Sequence, residues 1–117
     1  EAAVSRRQFL ARGLNQAEVL ALTLDAEARN GGVDGMTDVG AVIANRVAWG
    51  VWGPNVAAVC LFPEQFSCWN PARDRNHLRL VSLANDLRLG RVPTELRPAL
   101  EVAERIMAGA YTDETGE

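Results

Sequence analysis

Glycine and proline cut this chain into short segments of helical character, and that constrains its fold more than any other feature. The breaks fall at Gly31-Gly32, Gly50, Gly53-Pro54, Pro63, Pro71, Gly90 and Gly109, residues that end helices or open turns. Asn15-Gln16-Ala17-Glu18 has the form of a capping box, and a Leu- and Ala-rich stretch from Val19 to Arg29 follows it without a breaker. A second helix is expected from about Thr37 to Trp49, with Val39, Val42, Ile43, Arg46 and Val47 on one face. Gly40 within it suits a close approach of another helix. Asn55 can cap a short third helix that stops before Pro63. Residues 76–89 and 94–108 read as two more, with Pro98 in the first turn of the last. Gln65 to Asn70 has no helical period and reads as extended or looped, and a short β element near residues 65–68 is the one strand allowed. The expectation is a mainly α, single domain over residues 1–117, with residues 1–14 a short helix or extension.

Composition excludes several functions. A chain of 117 residues is one domain at roughly 150 residues per domain. A net charge of −3 does not suit a dedicated nucleic-acid binder. One histidine and two cysteines leave too few ligands for a zinc site, which takes three or four, so no metal or organic cofactor is expected. No apolar run approaches the ~20 residues of a membrane span, so no membrane insertion is expected, and the chain is expected to be a monomer. Ser5-Arg6-Arg7-Gln8-Phe9-Leu10 has the look of a twin-arginine export signal, but Arg12, Asn15 and Glu18 interrupt the apolar stretch such a signal needs. The segment reads instead as a short helix with Phe9 and Leu10 facing the core.

Glu27 is the most informative residue. It falls at i+7 from Leu20 and i+3 from Leu24, on an apolar face where a carboxylate is costly unless paired. One reading pairs it with Arg46 of the next helix in a salt bridge. The other makes it a general acid in a half-buried cleft, because apolar surroundings hold a proton that an ordinary glutamate has lost at neutral pH.

Three boxes carry a family resemblance. Ala26-Glu27-Ala28-Arg29, then Ala41-Val42-Ile43-Ala44-Asn45-Arg46, then Gln65-Phe66-Ser67-Cys68-Trp69-Asn70 resemble the Gly-Glu-Ala-Arg, Asn-Arg and Gln-Phe-Ser boxes of the spore-cortex-lytic (SleB/CwlJ-type) cell wall hydrolases. The order and spacing are similar, and the resemblance covers about residues 19 to 116. Asp113-Glu114-Thr115-Gly116 is similar to the family's closing Asp-Pro-Thr-Gly box. The resemblance implies a small lysozyme-like or transglycosylase-like domain that cleaves peptidoglycan glycan strands between N-acetylmuramic acid and N-acetylglucosamine. It implies that Glu27 is the catalytic acid and that the site of action is the cell wall, periplasmic or extracellular. With no convincing signal peptide here, a phage-encoded endolysin released by a holin fits. Ala26 stands where the family has glycine, and Glu114 where it has proline. Family members continue past that box with small and aromatic residues that help finish the cleft.

The Gln-Phe-Ser segment suits a sugar-binding wall. Phe66 is expected to pack and Gln65 and Trp69 to face substrate, the other reading being a core Phe and Trp that anchor the loop; Ser67 and Asn70 suit hydroxyl or N-acetyl groups, and Asn45 binds either sugar or only backbone. Arg46 reads as a structural partner for a carboxylate. Retaining or inverting hydrolysis needs a second carboxylate near the acid. Asp25 is a poor one because residues two apart on a helix face different ways, which leaves Asp34, Asp38 and Asp113. Without one, Glu27 alone supports lytic transglycosylation, in which the sugar's own 6-hydroxyl closes a 1,6-anhydro ring. Cys60 and Cys68 are either a disulfide pinning the Gln-Phe-Ser loop or two buried thiols. A Cys68–His77 peptidase pair lacks a third partner, and His77 lies in an arginine-rich stretch that looks solvated. A non-catalytic wall-binding module is the competing class, with residues 73–91, at a local charge of +3, as its basic strip.

Overall fold

A computed structural model describes residues 5–63, 65–70 and 75–109. Six α-helices follow one another: α1 (Arg6–Leu10), α2 (Gln16–Ala28), α3 (Gly32–Trp49), α4 (Val56–Leu61), α5 (Arg75–Arg88) and α6 (Arg97–Met107). Short 3-10 turns occupy Arg29–Gly31, Ser67–Trp69 and Thr94–Leu96, and there is no strand among the described residues.

Helix α2 is the centre of the molecule. Its start is the reciprocal capping box expected from sequence: Asn15 Oδ1 accepts from the Glu18 N–H at 2.8 Å, and Glu18 Oε1 accepts from the Asn15 N–H at 2.9 Å. Every residue from Val19 to Ala26 is buried, so α2 has no polar face and packs against α3, α4, α5 and α6 at once. The apolar periodicity around Leu20 and Leu24 therefore does not bury Glu27. The helix leaves the core in its last turn, and Glu27 is exposed there.

Helix α3 starts at Gly32, earlier than the expected Thr37. Gly32, expected as a break that ends the preceding helix, takes a positive φ of 67° and is the first residue of the next helix. Gly40 does allow the close approach expected of it. A Cβ there would lie 2.8 Å from Cγ1 of Ile106, a buried residue of α6. Gly40→Leu is expected to cost about 3 kcal/mol of stability through overpacking at this crossing. Urea unfolding checks it, and Ile106→Ala in the same chain should recover part of the loss.

The N-terminal helix forms, but its buried residue is not the expected one. Phe9 is 55% exposed and Leu10 half-buried, whereas Arg7 is 7% exposed. Phe9 instead carries the Arg12 guanidinium over its ring. The basic strip of residues 73–91 also dissolves. Arg79 turns inward to Asp25, Arg88 donates to the carbonyls of Leu10 and Arg12, and Arg91 sits beside Asp86. Arg73 and Asp74 lie outside the described residues.

Candidate functional site

The site is built where the last turn of α2 meets the Gln65–Asn70 segment. Phe66 alone is extended (φ −131°, ψ 109°) before the 3-10 turn of Ser67–Trp69, so the short β element near residues 65–68 is not formed. Three buried groups hold the segment from behind. The Arg7 guanidinium donates to the carbonyls of Phe66 (2.8 Å), Leu61 (2.9 Å) and Cys60 (3.3 Å) and to Asn70 Oδ1 (2.6 Å). The Trp69 indole N–H donates to Thr23 Oγ1 at 2.9 Å, and that hydroxyl donates to the Val19 carbonyl. His77 Nδ1 donates to the Cys68 carbonyl at 2.9 Å, and its ring is buried on α5. His77 is thus a core residue and not part of a solvated strip.

These anchors sort the expected site residues. Trp69, expected toward substrate, is 0% exposed. A bulky indole with a satisfied N–H is stable inside, and this one plugs the core against α2. Phe66 is buried, as packing requires. Ser67 is exposed, and Asn70 is exposed with its Oδ1 committed to Arg7. Gln65 is half-buried and accepts from Arg46 Nη1 at 2.6 Å, which leaves its amide N–H groups as donors. Asn45 is half-buried on α3. Asp113 lies outside the described residues.

Two carboxylates close in sequence have opposite surroundings. Asp25 is buried and gripped in a bidentate pair by Arg79 (Nε–Oδ2 2.7 Å, Nη2–Oδ1 3.1 Å), with Arg29 at 3.8 Å. That pair ties α5 to α2 in the strong fork geometry of guanidinium and carboxylate. It also holds the pKa of Arg79 above its ordinary value, chiefly through the hydrogen bonds that Arg79 donates to Asp25. Glu27, two residues on, faces solvent. It is not paired with Arg46, which has turned to Gln65 and lies 5.3 Å from the centre of the Trp52 ring. The Glu27 charge lies near the buried Cys68 thiol.

Cys60 and Cys68 are both buried free thiols, so the segment is pinned by Arg7, Thr23 and His77 and not by a disulfide. Burial pushes the Cys60 thiol up to about 12, from an ordinary 9.0. Burial also raises Cys68, and the Glu27 charge adds to it. A thiol so placed is no nucleophile at neutral pH, which removes the peptidase reading. In the unfolded chain both thiols ionise near 9, and in the folded chain well above it. Their stabilisation is therefore full below about pH 9 and lost as pH rises toward 12. Each thiol should give a slope of about 1.4 kcal/mol per pH unit in that window. Urea unfolding at fixed pH between 9 and 11 should show the decline, and Cys60→Ala should roughly halve it; a slope indifferent to that substitution contradicts the assignment.

Sequence reasoning missed three features. Nothing in a short N-terminal helix marks Arg7 as the clamp of a distant loop. The Asp25–Arg79 pair spans α2 and α5 and has no local signature. Trp49 and Trp52, at the end of α3, were passed over, although a tryptophan in the last turn of a helix beside Gly50 is a signal of its own. Their ring centres lie 5.6 Å apart, and Trp49 is 56% exposed.

A small all-helical domain carries an exposed glutamate at the end of α2 and a clamped Gln-Phe-Ser segment. The family model described as Cell Wall Hydrolase matches residues 30–117. That is about three quarters of the chain, and the chain belongs to this family. Its substrate class is accordingly peptidoglycan, and its site of action the cell wall. Glu27 lies just before the matched stretch. No curated protein and no solved structure matches the chain significantly. Among the described residues, no helix is long and apolar enough to cross a membrane.

Proposed function

We propose that this chain cleaves peptidoglycan glycan strands between N-acetylmuramic acid and N-acetylglucosamine as a lytic transglycosylase, with Glu27 as the single general acid and base. The observation that carries the reading is the contrast between the two α2 carboxylates. Asp25 has both oxygens held by Arg79, whereas Glu27 stands exposed in the last turn of α2. In the reaction, the Glu27 carboxyl gives its proton to the glycosidic oxygen as the bond from that oxygen to C1 breaks. The resulting carboxylate then takes the proton of the muramic acid 6-hydroxyl, and O6 closes on C1. No water is consumed. A bound strand covers the carboxylate and supplies the desolvation that the exposed helix end lacks. The exposed Ser67 and Asn70 and the half-buried Gln65 and Asn45 carry hydroxyl and amide groups that suit the sugars of a bound strand.

Hydrolysis with a second carboxylate is the alternative. Asp34 and Asp38 are exposed in the first half of α3, which begins close to the end of α2. Mass spectrometry of a peptidoglycan digest separates the two. Anhydro-muropeptides, one water lighter than ordinary ones, are expected. Reducing-end muropeptides alone would mean hydrolysis, and no released product at all would remove the enzymatic reading and leave a wall-binding module.

A further inference from the structure

We infer that Trp49 and Trp52 form a second glycan-binding subsite, a stacking platform at the far end of the track that starts at Glu27. The inference rests on the glycan-cleaving reading of the Glu27 site for its choice of ligand. Its observations are separate.

Single exposed apolar residues are ordinary, whereas neighbouring ones that form a patch mark an interaction site. Trp49 is 56% exposed and Val51 beside it 69%. The two indole rings are 5.6 Å apart with planes inclined at 38°, so they present a shallow, angled surface and not a closed stack. The loop that carries them is fixed. Gly50 stops α3 with a φ of 77° and donates to the carbonyls of Arg46 and Val47. Gly53, at φ 148°, sits so tightly on Ala58 that a Cβ would come within 2.6 Å of that side chain. A rigid aromatic surface loses little entropy on binding.

The platform is continuous with the site. Arg46 lies over Trp52 and donates to Gln65. Gln65 opens the segment whose Cys68 thiol lies near the Glu27 charge. Gly35 abuts the Ala28 carbonyl, so it marks the level of the α2 end. Trp49, fourteen residues later, is about 21 Å further along α3 at 1.5 Å per residue. A ligand that touches both ends must be an extended chain of several sugar units. Its chemistry also matches. Pyranose rings offer an apolar C–H face to an indole, and the Gln65 amide and Arg46 guanidinium beside it can meet N-acetyl carbonyls and the lactyl carboxylate of muramic acid.

The test measures binding and not cleavage, so it stands even where no product is released. Peptide-free glycan strands are titrated into the Glu27→Gln protein, with tryptophan emission and calorimetry as readouts. Trp69 is buried, so the exposed Trp49 should dominate a blue shift on binding. Trp49→Ala should raise Kd about tenfold and abolish most of the shift, whereas Trp49→Phe should stay within a few-fold of the parent. Equal affinity in Trp49→Ala and its parent overturns the inference and leaves the Glu27 reading untouched. Two further outcomes overturn it by naming another occupant: self-association that disappears in Trp49→Ala, or binding of that face to phosphatidylglycerol vesicles with no response to glycan.

Discussion

Glu27→Gln is expected to lower glycan cleavage by roughly 10³-fold and to leave folding almost unchanged. The amide keeps the shape of the side chain but has no acidic proton for the glycosidic oxygen, and it cannot later take one from the 6-hydroxyl. The fold should tolerate the change because Glu27 is exposed at the end of α2. Muropeptide release measured alongside the unfolding midpoint checks both halves. Retained cleavage would place the acid elsewhere, with Asp34 and Asp38 the next residues to replace. A loss of cleavage together with a large fall in stability would make Glu27 structural.

Arg7→Met is expected to destabilise the fold by about 4 kcal/mol. Arg7 is buried, and its guanidinium satisfies three carbonyls and one amide oxygen. Hydrogen bonds from a charged donor contribute about 1.5–3 kcal/mol each, and a buried carbonyl left without a donor costs about 1–3 kcal/mol. The sum overshoots, because the segment relaxes and water enters. On a domain of this size the loss should lower the thermal midpoint by roughly 15 °C. Arg7→Lys should recover only part of it, since an ammonium lacks the planar fork that spans acceptors on both sides. Arg6→Ala, exposed next door, should stay within about 0.5 kcal/mol of the parent. A midpoint for Arg7→Met within a degree or two of Arg6→Ala would show that the segment stands without its clamp.

Local rules predicted local structure well here. Asn15 and Glu18 announced the start of α2, Asn55 capped α4, and Gly90 and Gly109 followed the ends of α5 and α6, because caps and breakers act through near neighbours in the chain. The approach of α6 to Gly40 was legible for the same reason, since a missing side chain within a helix leaves room. What failed were statements about facing. Which of Asp25 and Glu27 goes inside is decided by α5 bringing Arg79 to one of them. Which tryptophan meets solvent is decided by where α3 ends and by Thr23 waiting for an indole N–H. Leu20 and Leu24 suggested a one-sided helix, but a helix surrounded by four others has no outer face, so the period carried no information about Glu27. The family boxes pointed to the Gln65–Asn70 segment without showing that half its side chains face inward.

The central position of α2 has a bearing on how small the working unit can be. The stretch that resembles other cell wall hydrolases by sequence model opens at residue 30, after α2 has ended. Yet α2 carries Glu27, supplies the core surface for four other helices, and receives Trp69 through Thr23. The clamp that orders the Gln-Phe-Ser segment comes from earlier still, at Arg7. A fragment trimmed to the recognisable portion would therefore lack its own keystone, and the least length of chain that folds begins upstream of the portion by which the family is recognised.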